Sequence, residues 1–145
     1  MKKKSYTLFL FCIAFCSMCV SLPGKTSGQQ VVGVSSLEFY ENHRHLLEDG
    51  GATIIDGRTA EMFESGHLKN AINIDADDPN LIDLLQEHAD EPLIVIYCTT
   101  IRRTGDILQA LEEFYEGKII YINDGLRGWK QNGLPFLNAA DYMAE

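Results

Sequence analysis

The sequence predicts an α/β fold of three layers, α/β/α, with a parallel sheet between helices. Three observations predict it. Strand-like and helix-like stretches alternate along the chain, the pattern of a parallel sheet with crossover helices. One stretch, Leu93-Ile94-Val95-Ile96-Tyr97, is apolar without interruption, as a strand covered on both faces requires. The chain is 145 residues long with 46% hydrophobic residues, enough for one domain around one core.

The first residues stand apart from this pattern. A basic start, Met1-Lys2-Lys3-Lys4, is followed by a run from Tyr6 to Leu22 without a charge, and then by small and polar residues up to Gln30. A basic head, an apolar centre and a small-residue exit describe a secretory signal peptide. Residues 1–28 are therefore expected to be a leader, cut after Gly28 or, as second choice, after Ser21. Residues 29–145 are expected to be a single domain in an exported, periplasmic or otherwise extracytoplasmic setting. An uncleaved leader would instead hold the protein at the membrane. Cys12, Cys16 and Cys19 all fall in the apolar centre, where they read as filler rather than as a metal or redox motif.

The folded part begins with a β-rich stretch, Val31 to Val34. Ser35 or Ser36 then caps a helix predicted over residues 37–49, with Leu37, Tyr40 and Leu47 at helical spacing. Gly50-Gly51 stops it. Residues 52–55 form a strand that ends at Asp56. A short helix fits Ala60 to Glu64, and residues 71–74 form the next strand. Pro79 opens a helix through about His88. After the apolar strand at 93–97, a polar loop leads into a helix from about Thr104 to Tyr115. Residues 119–122 form the last strand, and Gly125 to Asn132 the last helix.

Removing Lys2, Lys3, Lys4 and Lys25 from 12 basic residues leaves 8 against 21 acidic ones, a formal charge of −13 for the mature chain. Such a surface argues against a nucleic-acid partner, because phosphate contacts need a basic patch. An anionic substrate must be drawn in by local groups against this field. One cysteine, Cys98, survives in the mature chain, and a lone thiol in an exported domain points to a reactive site or to an intermolecular disulfide. His43, His45 and His88 have no ligand spacing around them, so neither a metal nor another cofactor is expected.

Cys98 follows the strongest strand and precedes a helix, at the sheet edge where α/β folds bind ligands. A thiolate is the reactive form of cysteine. Backbone N–H groups of Thr99, Thr100, Ile101, Arg102, Arg103 and Thr104 can curl around its sulfur as an anion nest, aided by the helix dipole. Arg103 adds a permanent cation. The hydroxyls of Thr99, Thr100 and Thr104 offer further donors.

Three stretches carry a recognisable pattern. The first runs from Asp56-Gly57-Arg58 through Glu61, Phe63, Gly66-His67-Leu68 and Ala71 to Asn73. The second is Tyr97-Cys98 through Arg103-Thr104. The third runs from Asp124-Gly125 through Trp129 to Gly133-Leu134-Pro135. Together they resemble the rhodanese homology domain over about Val31 to Phe136. The resemblance implies a central five-stranded parallel sheet. It also implies a C-x4-R loop, whose ends are Cys98 and Arg103, and sulfane-sulfur transfer through a persulfide on Cys98. The partners implied are a small anionic sulfur donor such as thiosulfate and a thiol or protein sulfur acceptor.

Asp56 and Arg58 are expected to clamp the loop, and His67 to be a hydrogen-bonded structural histidine. Trp129 reads as a core anchor under the last helix, and Asp77-Asp78 as a solvated face. Two residues depart from the pattern. Ile101 stands where glycine is common, at a cost if φ is positive, and it could wall the sulfur with apolar surface. Asp124 replaces a glycine, and its charge could repel anionic donors. Both features favour an alternative, a non-catalytic binding or redox module. A phosphatase or arsenate reductase of similar fold uses a C-x5-R loop, one residue longer than this one.

Overall fold

A computed structural model describes residues 28–99 and 101–138. The leader lies outside the described residues, apart from Gly28, and so does Thr100. No helix among the described residues is long and apolar enough to cross a membrane.

Five parallel strands form the central sheet: β1 (Gln30–Val34), β2 (Thr53–Asp56), β4 (Ala71–Asn73), β5 (Leu93–Tyr97) and β6 (Lys118–Ile122). Their order across the sheet is β1-β6-β5-β2-β4, and every pairing is parallel. The helices are α1 (Ser36–His43), α2 (Ala60–Glu64), α3 (Leu81–Gln86), α4 (Ile101–Glu112) and α5 (Gly125–Gln131). From β4 through β5 to β6 the chain steps in one direction across the sheet. From β1 through β2 to β4 it steps the other way. Right-handed crossovers then put α3 and α4 on one face and α1 on the other. The packing agrees, since α3 lies against α4 and α1 against α5.

Alternating side chains of β5 supply both cores. Val95 and Tyr97 join Phe39 of α1 and Leu126 and Trp129 of α5. Ile94 and Ile96 join Leu85 of α3 and Ile107 and Leu111 of α4. The five residues 94–98 have no exposed surface, which is why this strand has no polar position. Trp129 is an anchor as expected: it is buried against Phe39 and Tyr40, and its Nε1–H donates to the Pro135 carbonyl at 2.8 Å.

The structure departs from the sequence pattern in four places. The first helix stops at His43 and continues as a 3₁₀ turn over Arg44–Leu47, and its cap is Ser35, whose hydroxyl accepts from the Glu38 N–H. The helix expected from about residue 80 to His88 is shorter, Leu81–Gln86. The helix after Cys98 begins at Ile101, three residues earlier than expected, so most of the polar loop is the first turn of α4. A second sheet, β3 (Gly66–His67) paired antiparallel with β7 (Leu137–Asn138), was not expected.

Candidate active site

The C-terminal ends of β2 and β5 lie side by side, with Asp56 in register with Tyr97. From β2 the chain goes on to β4 at one side of the sheet, and from β5 to β6 at the other. This divergence makes the crevice at which open α/β sheets take ligands. Gly57 and Cys98 are the first residues past the two strands. The Gly57 N–H donates to the Tyr97 carbonyl at 2.9 Å. A methyl group at Gly57 would meet the Cδ1 end of the Ile107 side chain at 2.6 Å, which would have to shift to admit it.

Cys98 has no exposed surface. As a thiol it donates weakly to the Gly57 carbonyl, with 3.7 Å between Sγ and oxygen. Its own carbonyl accepts the Leu126 N–H at 2.8 Å, which fastens the start of α5 to the cysteine. Gly125, with φ of 59°, makes that approach possible, because a side chain there would strike the carbonyl oxygens of Cys98 and Thr99.

Asp56 and Arg58 form an ion pair whose hydrogen bonds do not include the Cys98 loop they were expected to clamp. The Arg58 guanidinium donates to both carboxylate oxygens, with Nη2 to Oδ2 at 2.6 Å and Nε to Oδ1 at 2.9 Å. It also donates to the Gly66 carbonyl at 2.7 Å. Both residues are buried. Burial lowers the Arg58 pKa, but the hydrogen bonds to Asp56 and its charge outweigh that, so the net shift is upward. The Tyr97 phenol is also pushed up, first by burial and then by the Asp56 charge, and its hydroxyl oxygen accepts from the Leu68 N–H at 3.0 Å. Asn73 ties this corner by donating to the carbonyls of Asp56 and Arg58. His67 donates from Nδ1 to the Phe63 carbonyl at 3.0 Å and stacks on the Phe63 ring, which is the structural part expected of it.

The side chains of the loop divide into two groups. Thr99 Oγ1 and Thr104 Oγ1 are buried hydroxyls with no hydrogen-bond partner among the described residues. Arg102 is exposed and loosely paired with Asp106 at 3.8 Å. Arg103 is held by Asp77, with Nη2 2.9 Å from Oδ2. Asp77 therefore has a partner, and is more than the solvated charge that its sequence context suggested.

Neither departure from the motif pattern has the effect expected from sequence. Ile101 is the first residue of α4, and among the described residues only Asn70 has a positive φ outside glycine, so Ile101 carries no such strain. It is half-exposed and forms no wall of the cleft described next. The Asp124 carboxylate turns to α1, where it accepts from the Ser36 N–H and Oγ–H, each at 2.7 Å. Its charge is spent there, and it too is absent from the cleft.

That cleft, about 240 Å³, opens beside the loop and is lined by Arg58, Met62, Thr99, Leu126, Arg127 and Lys130. Three of these are cationic and none is acidic, which reverses the sign of the whole chain. Met62, Arg127, Lys130 and Tyr97 were not singled out from the sequence. A methionine and two basic residues on short helices have no local signature, and a tyrosine ending an apolar strand reads as core.

The model of the rhodanese-like domain matches residues 40–132 of the chain. The chain belongs to the rhodanese-like domain family. Among curated relatives, a tRNA uridine(34) hydroxylase of Salmonella heidelberg is 33% identical over 99 residues, covering 62% of this chain and 28% of that protein. The rhodanese-like chain thus spans little more than a quarter of that relative. Of solved structures, a polysulfide-sulfur transferase homodimer of Wolinella succinogenes is 26% identical with a TM-score of 0.53, over 74% of this chain and 78% of that one. A thiosulfate sulfurtransferase of Pseudomonas aeruginosa superposes with a TM-score of 0.60 at 18% identity, over 75% of this chain and 20% of that one, a likeness of fold alone.

Proposed function

We propose that this rhodanese-like protein is a sulfurtransferase that moves sulfane sulfur from an anionic donor, such as thiosulfate, to a thiophilic acceptor through a persulfide on Cys98. The observation that carries this reading is the pair of buried hydroxyls of Thr99 and Thr104, without a partner among the described residues, at the junction that holds Cys98. Buried polar groups are nearly always hydrogen-bonded, and an exception calls for a ligand or a chemical role. The early start of α4 adds free N–H groups at Ile101, Arg102, Arg103 and Thr104, since the first turn of a helix has no internal acceptors for them. Together these donors suit a persulfide anion, whereas the Arg103 charge is paired with Asp77.

In the first step the Cys98 thiolate attacks the outer sulfur of the donor. The S–S bond of thiosulfate breaks, sulfite leaves with its electron pair, and Cys98 keeps the sulfane sulfur. In the second step an acceptor nucleophile takes that sulfur and returns the thiolate. The reaction needs no metal or organic cofactor.

The test is intact-mass measurement after incubation of the protein with thiosulfate or polysulfide. The wild type is expected to gain one sulfur atom, and Cys98→Ser none. Absence of any gain would move the assignment to a second reading, a binding or redox module, which the complete burial of Cys98 favours. Phosphate release from an aryl phosphate would instead indicate the phosphatase chemistry that a longer loop normally serves.

Export completes the proposal: residues 1–28 are removed and the domain works outside the cytoplasm, or remains membrane-associated through an uncut leader. Sequencing the N terminus of the secreted product decides between them. A start at Gln29 supports cleavage, and retention of Met1 in the membrane fraction supports the anchor.

A further inference from the structure

We infer that Arg127 and Lys130 form a charge-reading rim that selects a sulfur acceptor with an anionic tail, such as a small mercaptocarboxylate. The chemistry of this inference rests on the sulfurtransferase reading, whereas the binding does not. Arg127 follows Leu126, whose N–H is bonded to the Cys98 carbonyl, so the rim is tied to the cysteine through the backbone. Lys130 lies three residues further along α5, on the same side of the helix. Both are exposed and both line the cleft, whereas Cys98 is fully covered.

Arg127 has no ion-pair partner among the described residues, although the chain carries 21 acidic residues to 12 basic ones. Lys130 is steadied by the Phe136 ring, with Nζ 4.3 Å from its centre, a contact that leaves its charge in place. The third cation of the cleft, Arg58, is already neutralised by Asp56. The apolar residues Met62 and Leu126 line the same cleft, as does Thr99 of the loop.

A compact donor such as thiosulfate carries its charge one bond from the sulfur that Cys98 attacks, so that charge stays within the loop. Only a substrate with a spacer brings its charge to the exposed rim while its sulfur reaches the loop. An aliphatic thiol ending in a carboxylate has this form, with its methylenes against Met62 and Leu126. In the transfer, the acceptor thiol R–SH attacks the outer sulfur of Cys98–S–S⁻. The bond from Cys98 to that sulfur breaks and a bond from R–S forms. Cys98 leaves as thiolate, and the thiol proton ends on the product R–S–SH, so no oxidant or reductant is consumed.

The kinetic test unloads persulfidated protein with 3-mercaptopropionate or with neutral 2-mercaptoethanol at equal thiolate concentration. The Arg127→Gln/Lys130→Gln variant is expected to lose about tenfold in kcat/KM for the first thiol at low salt and to keep its rate with the second. Equal losses on both thiols, or no loss on either, overturn the inference. A binding test does not depend on sulfur transfer: 3-(methylthio)propionate is titrated into the wild type and the double variant by NMR. Shifts at Met62 and Leu126 that vanish in the variant support the rim even if Cys98 takes up no sulfur, in which case only the sulfurtransferase reading fails. No shifts, or the same shifts in the variant, overturn it.

Discussion

Asp56, Arg58 and Tyr97 make the corner beneath the cysteine, and each can be tested singly. Arg58→Ala leaves the fully buried Asp56 carboxylate without its cation. Breaking a buried pair in this way costs about 3–5 kcal/mol, and urea denaturation is expected to show a loss of that order. Tyr97→Phe removes the acceptor of the buried Leu68 N–H, for about 1–3 kcal/mol. It should also change the response to alkali. The folded protein holds the Tyr97 phenol protonated above the ordinary tyrosine value of 10.0, whereas the unfolded chain releases that proton at the ordinary value. The unfolded state therefore binds fewer protons, and wild-type stability falls as pH rises past 10. In Tyr97→Phe that slope should be shallower, with Tyr115, also raised by burial, left to supply part of it. At this scale the sequence was readable where partners are close. Asp56 and Arg58 are two residues apart at a strand end, so their pairing could be inferred, though not that it would fasten the Gly66 carbonyl. Ser36 and Asp124 are 88 residues apart, and nothing local announces that a carboxylate near the active edge is turned away and bound.

Among the elements, β5 and α2 occupy the residues expected from sequence, because an unbroken apolar run and a Thr59 cap leave little choice. The boundary before α4 was misjudged because Thr99 to Arg103 is polar and looks like a loop. Ile101 and the two arginines nevertheless enter the helix, with Arg102 facing Asp106 one turn on. β3 and β7 escaped notice because two-residue strands have no periodicity, and their pairing joins residues 66 and 138. The junction of β6 with α5 can be tested through glycine. Gly125→Ala forces a side chain into the left-handed region and against the Cys98 and Thr99 carbonyls. It is expected to destabilise by more than about 1 kcal/mol and to slow sulfur loading of Cys98. Gly105→Ala, in open space on α4, provides the contrast and is expected to stabilise by about 0.5–1 kcal/mol. Thermal melts of the two variants, moving in opposite directions, check both.

The molecule as a whole sets a negative surface against one cationic cleft. The sheet order was legible only in outline, since alternation implies parallel strands but does not say that β2 and β5 diverge. That divergence is what brings residues 56 to 58 next to residue 98. The complete covering of Cys98 has a consequence for the export proposed above. Bulky disulfides such as oxidised glutathione must reach a sulfur in line before they can exchange with it, and here the approach is shut until the loop parts. The fold thus guards the one cysteine of the described residues by geometry, and under the proposed export this would spare it the constant repair that a naked thiol needs.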